Sequence, residues 1–203
     1  MKNIYVIRHG QTEFNKLRLM QGRGINASLN DTGREQANRI AEFLKPSSIT
    51  KVITSSLNRS KESAEPVCSY FSIKAEDYSD LDEMNFGVLE GKEIEAVKED
   101  LKFLHDNWCN GNLKIAPENG EHPTEVFERA NRKIIEILRD SEDQHIVFIL
   151  HGRLIRILLS KWLGLGLHNM HKIEHQNGAI NHLMWDNGVF EPIELNIINH
   201  LGK

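Results

Sequence analysis

Two short segments limit what this chain can become. Residues 3–7 (NIYVI) and 144–150 (QHIVFIL) are apolar, β-branched or aromatic runs with little alternation. Each leads directly into a histidine followed by glycine, in Arg8-His9-Gly10 and His151-Gly152-Arg153. A half-exposed strand alternates polar with apolar residues, whereas a continuous run is buried on both faces and belongs in a parallel sheet covered by helices. ITKVITSS (49–56) and AINHLMW (179–185) are further strand candidates, and Asp186-Asn187-Gly188 is a turn signal ahead of VFEPIEL.

Helical patterns separate these runs. NDTGREQANRIAEFLK has a polar start at Asn30 to Thr32, then apolar spacing at Ala37, Ile40, Ala41 and Leu44. LNRSKESAEPVCSYF reads the same way. TEVFERANRKIIEILRD sets Val126, Phe127, Ala130, Ile134, Ile137 and Leu138 on one face, and GRLIRILLSKWLG ends at a helix stop, Gly164. Strands alternating with helices predict an α/β fold: three α/β/α layers around a mostly parallel central sheet. Residues 92–123 lack a clear strand and predict a helical excursion above one end of that sheet. No repeat, low-complexity stretch or linker interrupts the chain, so residues 1–203 are read as a single domain.

Bulk properties narrow the function. A formal net charge of −4 gives no global attraction to nucleic acid or an anionic membrane, so any affinity for an anion must be local. Cys68 and Cys109 are the only cysteines and form no CxxC pair, which predicts no disulfide framework and fits a reducing cytoplasm. The apolar stretch Ile4 to Ile7 is interrupted at once by Arg8 and His9, unlike a signal peptide, and no run is long enough to cross a bilayer. A cytoplasmic protein is expected.

In open α/β sheets, ligands bind beyond the carboxyl ends of the strands. If the two His-Gly strands are neighbours, both imidazoles point into one crevice. A lone His-Gly after a strand is usually only a loop; the pair with an adjacent arginine is more specific.

The motifs then resemble a known family. RHGQTEFN (8–15) resembles the signature of the histidine phosphatase superfamily, also called phosphoglycerate mutase-like. MQGRGINASLNDTGREQA, SSLNRSKESA, LDEMNFGVLEG, GEHPTEVFERA and ILHGRLIR resemble its later motifs in the family's order, and ELNIINHL is similar to its closing stretch. The resemblance spans nearly the whole chain and implies a phosphoglycerate mutase-like fold, with about residues 84–125 as an excursion covering the site. It implies that His9 is the nucleophile that takes the phosphoryl group, and that Arg8, Arg59 and His151 complete the phosphate pocket. Glu83 matches the acid that protonates the leaving group, and Asn15 and Gln21 match positions that reach substrate or phosphate. It implies no metal, no nucleotide and no other cofactor, and a small phosphorylated metabolite as partner. Dimers recur in the family, which leaves a homodimer open.

Physical chemistry agrees with these roles. A phosphoryl group in flight spreads negative charge over its equatorial oxygens, and planar guanidinium forks suit that charge. The nucleophile needs a free lone pair, and neighbouring Arg8 and Arg59 disfavour its protonated form. Gly10 and Gly152 are expected to let backbone approach the anion, with helix N-termini after the strands adding amide donors. Glu83 must hold a proton to donate it, and burial or an arriving dianion would favour that form. Read in isolation, Glu83 is a solvated acid in an acidic run, and Arg59 a partner for Glu62 or a helix cap.

Two positions depart from the family pattern: His122 stands where a small hydroxyl residue follows Gly120-Glu121, and Asn26 where aspartate is common. His168, His171 and His175 are spaced as metal ligands could be, but no carboxylate or cysteine pattern joins them in sequence. They are read as a loop or short surface helix, and Trp108 as packing or lid. Glu83 and His151 lie 68 positions apart, and residues 92–123 carry Lys92, Lys98, Lys102 and Lys114 but no arginine. The family's mutases carry a longer, arginine-rich insertion there. The expected activity is therefore metal-independent hydrolysis of a small phosphomonoester, on the phosphatase branch. Mutase-type phosphoryl transfer is the alternative, and a non-catalytic phosphate-binding protein a remote one.

Overall fold

The computed structural model describes residues 1–202 of the chain. Its centre is one six-stranded sheet built from β1 (Lys2–Arg8), β2 (Lys51–Ser55), β3 (Glu76–Tyr78), β4 (His145–Leu150), β5 (Ile180–Asp186) and β6 (Val189–Ile197). The strand order is β3-β2-β4-β1-β5-β6. β3, β2, β4 and β1 run parallel, while β5 lies antiparallel to β1 and pairs with β6 as a hairpin. The hairpin turns at Asn187 and Gly188, both at positive φ (47° and 96°), the twist that matches two antiparallel strands.

The lack of alternation in β1 is explained by two cores. Ile4 and Val6 pack into one, Tyr5 and Ile7 into the other. α2 (Asp31–Leu44) and α3 (Asn58–Phe71) cover the second face through Ile40, Leu44, Ala64 and Val67. α5 (Pro123–Asp140) and α6 (Gly152–Trp162) cover the first through Val126, Ile134, Leu154 and Leu158. The result is a three-layer, mostly parallel α/β fold, as expected. A one-turn helix, α1 (Glu13–Lys16), follows β1.

The excursion contains a 3-10 turn at Gly87–Leu89 and α4 (Lys98–Cys109), anchored to the first core by Leu104 and Trp108. β3 has no counterpart among the expected strands. It is a three-residue edge paired to β2, with two exposed residues and no apolar pattern to announce it. Among the described residues, no helix is long and apolar enough to cross a membrane.

Candidate active site

β1 and β4 are adjacent and in register, with Arg8 opposite Leu150, so the residues that follow them leave the sheet side by side. The rings of His9 and His151 are 5.2 Å apart, centroid to centroid, and both are buried. Nδ1 of His9 lies 2.7 Å from the carbonyl oxygen of Gly10. A carbonyl can only accept, so Nδ1 carries the proton and Nε2 the lone pair. Burial, then Arg59 and Arg8, push the pKa of His9 well below its usual value, which keeps the ring neutral. His151 is shifted the same way, chiefly by burial and then by Arg59. Its Nε2 lies 2.7 Å from Ser55 Oγ, and its Nδ1 has no partner.

Two guanidinium groups border this pair. Arg59, in the first turn of α3, is fully buried; it donates to the carbonyls of Ile25 (2.6 Å) and Gly22 (3.1 Å), and its Nε has no partner. It does not pair with Glu62, which instead binds Arg34 at 3.0 Å. The buried Nε of Arg8 is also unpartnered. Burial lowers both arginines to about 10, which leaves them charged at neutral pH.

Glu83 is 5% exposed rather than solvated. Oε1 accepts from the amides of Met84 (2.8 Å) and Leu154 (3.0 Å), and Oε2 from Arg153 (2.9 Å). A carboxylate has about four lone-pair sites, so three are taken and one, on Oε2, stays open. This corrects one expectation. The amides of Arg153 and Leu154, in the first turn of α6, hold the acid and are not free to bind the anion.

The glycines also give room to their neighbours. The amide of Gly10 donates to Ser63 Oγ, and a Cβ at Gly10 would lie 2.4 Å from the carbonyl oxygen of Gly33, so this glycine lets the loop after β1 meet the start of α2. A Cβ at Gly152 would come 3.2 Å from Cζ of Arg8, so this glycine makes room for a guanidinium. Asn15 borders the cleft described below, and its Oδ1 accepts from the Thr12 amide and from Asn177 Nδ2, both at 3.1 Å. Gln21 accepts from the Thr12 hydroxyl at 2.9 Å, while its buried Nε2 has no partner.

Of the candidate residues, Arg8, Asn15, Gln21, Glu83 and Gly152 border a cleft of about 310 Å³, together with Arg153, Arg156 and His175. A larger groove of about 840 Å³, between α5, the end of α6 and the hairpin turn, contains none of the candidate site residues.

Sequence reasoning missed Ser55, Asn177, His175, Arg153 and Arg156. Asn177 donates to the carbonyls of His9 and Gly10 and is signalled only by the turn dipeptide Asn177-Gly178. His175, read as surface, is 8% exposed and borders the cleft. The three spaced histidines do not converge: His168 meets Asn169, and His171 meets Cys109 and His105. Among the described residues, no group of three or more side chains is arranged to hold a metal ion. The departures His122 and Asn26 both cap helices. His122 Nδ1 accepts from the Glu125 amide at the start of α5, doing the work of a hydroxyl cap, and Asn26 Oδ1 accepts from the Asn58 amide at the start of α3.

The model of the histidine phosphatase superfamily (branch 1) matches residues 4–198. The chain is 28% identical over 201 residues to the Hydrogenobacter thermophilus protein named "Putative phosphoserine phosphatase 2", covering 98% of each. It is 27% identical over 183 residues to "Probable phosphoglycerate mutase GpmB" of Salmonella choleraesuis, covering 90% of this chain and 85% of that one. Its fold matches a mycobacterial glucosyl-3-phosphoglycerate phosphatase with a TM-score of 0.87 at 23% identity, over 97% of this chain and 99% of the other.

Proposed function

The chain belongs to the histidine phosphatase superfamily, and from that premise we propose that it hydrolyses a small organic phosphomonoester through a phosphohistidine on His9. Nε2 of His9 attacks phosphorus. The ester P–O bond breaks, and the leaving oxygen takes a proton from Glu83. Water then attacks the phosphohistidine, Glu83 takes the proton from that water, and inorganic phosphate leaves with the His9 lone pair restored. Arg8, Arg59 and the unpartnered Nδ1 of His151 supply positive charge and a hydrogen-bond donor where the equatorial oxygens gather charge.

The observation that carries this reading is the pairing of His9 Nδ1 with the Gly10 carbonyl. It leaves a neutral, unprotonated Nε2 on a ring that stands against His151 and under the charges of Arg59 and Arg8. The phosphatase names among the relatives support hydrolysis over transfer. So does the excursion, which has no arginine between residues 92 and 123 to hold a second phosphate.

The test is p-nitrophenyl phosphate hydrolysis in EDTA by the native protein and His9→Ala, with acid-quenched turnover mixtures analysed by mass spectrometry. Hydrolysis is expected to vanish in the variant, and the adduct to sit on residue 9. Equal rates for the two proteins, or isomerisation of 3-phosphoglycerate faster than phosphate release, would sink the reading.

A further inference from the structure

The guanidinium of Arg59 is held by two backbone carbonyls, those of Gly22 and Ile25. Both belong to a turn between α1 and α2 that lies outside any helix or strand. A buried cation is placed only as well as the group that supports it, so what fixes this turn also fixes Arg59.

One side chain stands against the turn. Glu90 follows the 3-10 turn Gly87–Leu89 of the excursion and is partly buried. A Cβ at Gly22 would lie 2.1 Å from its Oε1, and one at Gly24 would lie 2.7 Å from its Oε2. The turn is therefore wrapped on both carboxylate oxygens, at two positions with no room for a side chain. The amides of Phe86 (2.9 Å) and Gly24 donate to the carboxylate. Burial pushes the Glu90 carboxyl above its usual range, opposed by those two amides and by the charge of Arg59. In return Glu90, after Glu83 and Asp82, favours the charged form of Arg59. A side chain that only closed its own 3-10 turn would need the Phe86 amide and nothing from Gly22 or Gly24.

We propose that Glu90 is a positioning residue for the phosphoryl group. It moulds the turn at residues 22–25 and, through the carbonyls of that turn, sets where Arg59 meets phosphate. It touches no reacting atom itself. The assignment rests on the phosphatase reading only in taking Arg59 as a phosphate ligand.

The experiment measures the Kd of inorganic phosphate by calorimetry, with KM and kcat for p-nitrophenyl phosphate, in the native protein, Glu90→Gln and Gly24→Ala. The first variant keeps an acceptor for Phe86 but loses the charge and turns an NH2 toward an amide. The second leaves Glu90 in place and forces the turn away from it. Each is expected to weaken phosphate binding about tenfold, the scale of losing an orienting partner, and KM should rise with it. Added to Arg59→Ala, either change should do nothing more, because the side chain it acts through is gone. The single variants decide the point by themselves if Arg59→Ala does not fold. Damage to the fold alone would lower kcat through the fraction of folded enzyme and leave Kd and KM unmoved. That pattern, unaltered phosphate binding in both variants, or an equal further loss on top of Arg59→Ala would overturn the proposal. If the native protein bound phosphate in this way but hydrolysed no ester, the phosphatase reading would fall and the role of Glu90 would stand. No phosphate binding by the native protein would overturn both.

Discussion

The hydroxyl of Ser55, at the end of β2, lies 2.7 Å from Nε2 of His151, at the end of the neighbouring strand β4. That oxygen already accepts the amide of Leu57 at 3.2 Å, so its own proton is free for Nε2. The imidazole proton is thereby placed on Nδ1, which has no protein partner and can donate to a phosphoryl oxygen. Ser55 is thus a positioning residue acting through His151. Ser55→Ala is expected to lower kcat about tenfold, the lower end of effects seen when an orienting partner is lost. Stability should fall by about 1 kcal/mol. Steady-state kinetics and nitrogen NMR of the His151 tautomer check this. An unchanged tautomer with unchanged kcat would contradict it.

Acid should destabilise the fold through its buried histidines. Burial pushes the pKa of His9 and His151 well below the ordinary value, and that of His175 down to about 3. In the unfolded chain the same rings titrate near about 6.5. Between the folded and unfolded values the unfolded chain binds more protons, so stability falls as pH drops below about 6.5. Each ring contributes up to about 1.4 kcal/mol per pH unit there, and nothing above about pH 7.5. Thermal or urea unfolding from pH 7.5 to 4 should show the decline. His175→Gln should remove one proton from its slope; an unaltered slope would rule His175 out as a contributor.

What could be read in sequence, and what could not, follows from distance along the chain. β1 and β4 were legible because burial on both faces leaves unbroken apolar runs. Arg8, His9 and His151 were legible because they abut those runs. Ser55 was not, because its partner lies 96 residues away, and neither was the service Asn177 gives His9 from 168 residues away. Arg156 was not singled out in the sequence, and Arg153 was named only as the residue after His151-Gly152. Only the folded cleft shows that both stand at its border with Glu83. The glycines were legible as special, but a missing Cβ does not announce which neighbour needs the space.

That neighbour decides what an alanine does. At Gly10 the added methyl meets backbone, the Gly33 carbonyl oxygen at 2.4 Å, which cannot swing aside. Gly10→Ala is expected to destabilise the protein by about 2–3 kcal/mol, the cost of overpacking. At Gly152 the methyl meets the guanidinium of Arg8 at 3.2–3.3 Å, the mobile end of a side chain. Gly152→Ala should therefore cost less than about 1.5 kcal/mol in stability but shift Arg8 and lower kcat/KM for p-nitrophenyl phosphate about tenfold. Urea unfolding and kinetics on the two variants separate these effects, and the reverse pattern would contradict the assignment.

Arg129, on α5, is the clamp that sets the position of Glu83. Its guanidinium donates to the carbonyls of Asp80 (2.7 Å), Asp82 (2.9 Å) and Glu83 (3.1 Å), and to both carboxylate oxygens of Glu121 (2.7 and 2.9 Å). Glu121 in turn accepts the amide of Asn85, so the segment on both sides of the acid is tied to one side chain. Burial alone would push Glu121 up, but its bonds to Arg129 hold its carboxyl below the usual range. Removing the arginine strands a partly buried carboxylate and three carbonyls. Arg129→Met is expected to cost about 3 kcal/mol of stability. It should also lower kcat more than it raises KM, because the acid drifts from the leaving oxygen while the phosphate pocket is untouched. In a double-mutant cycle, Glu121→Gln should cost less in the Arg129→Met background than alone, with a coupling of about 1–2 kcal/mol. Additive losses would show that the two residues act independently.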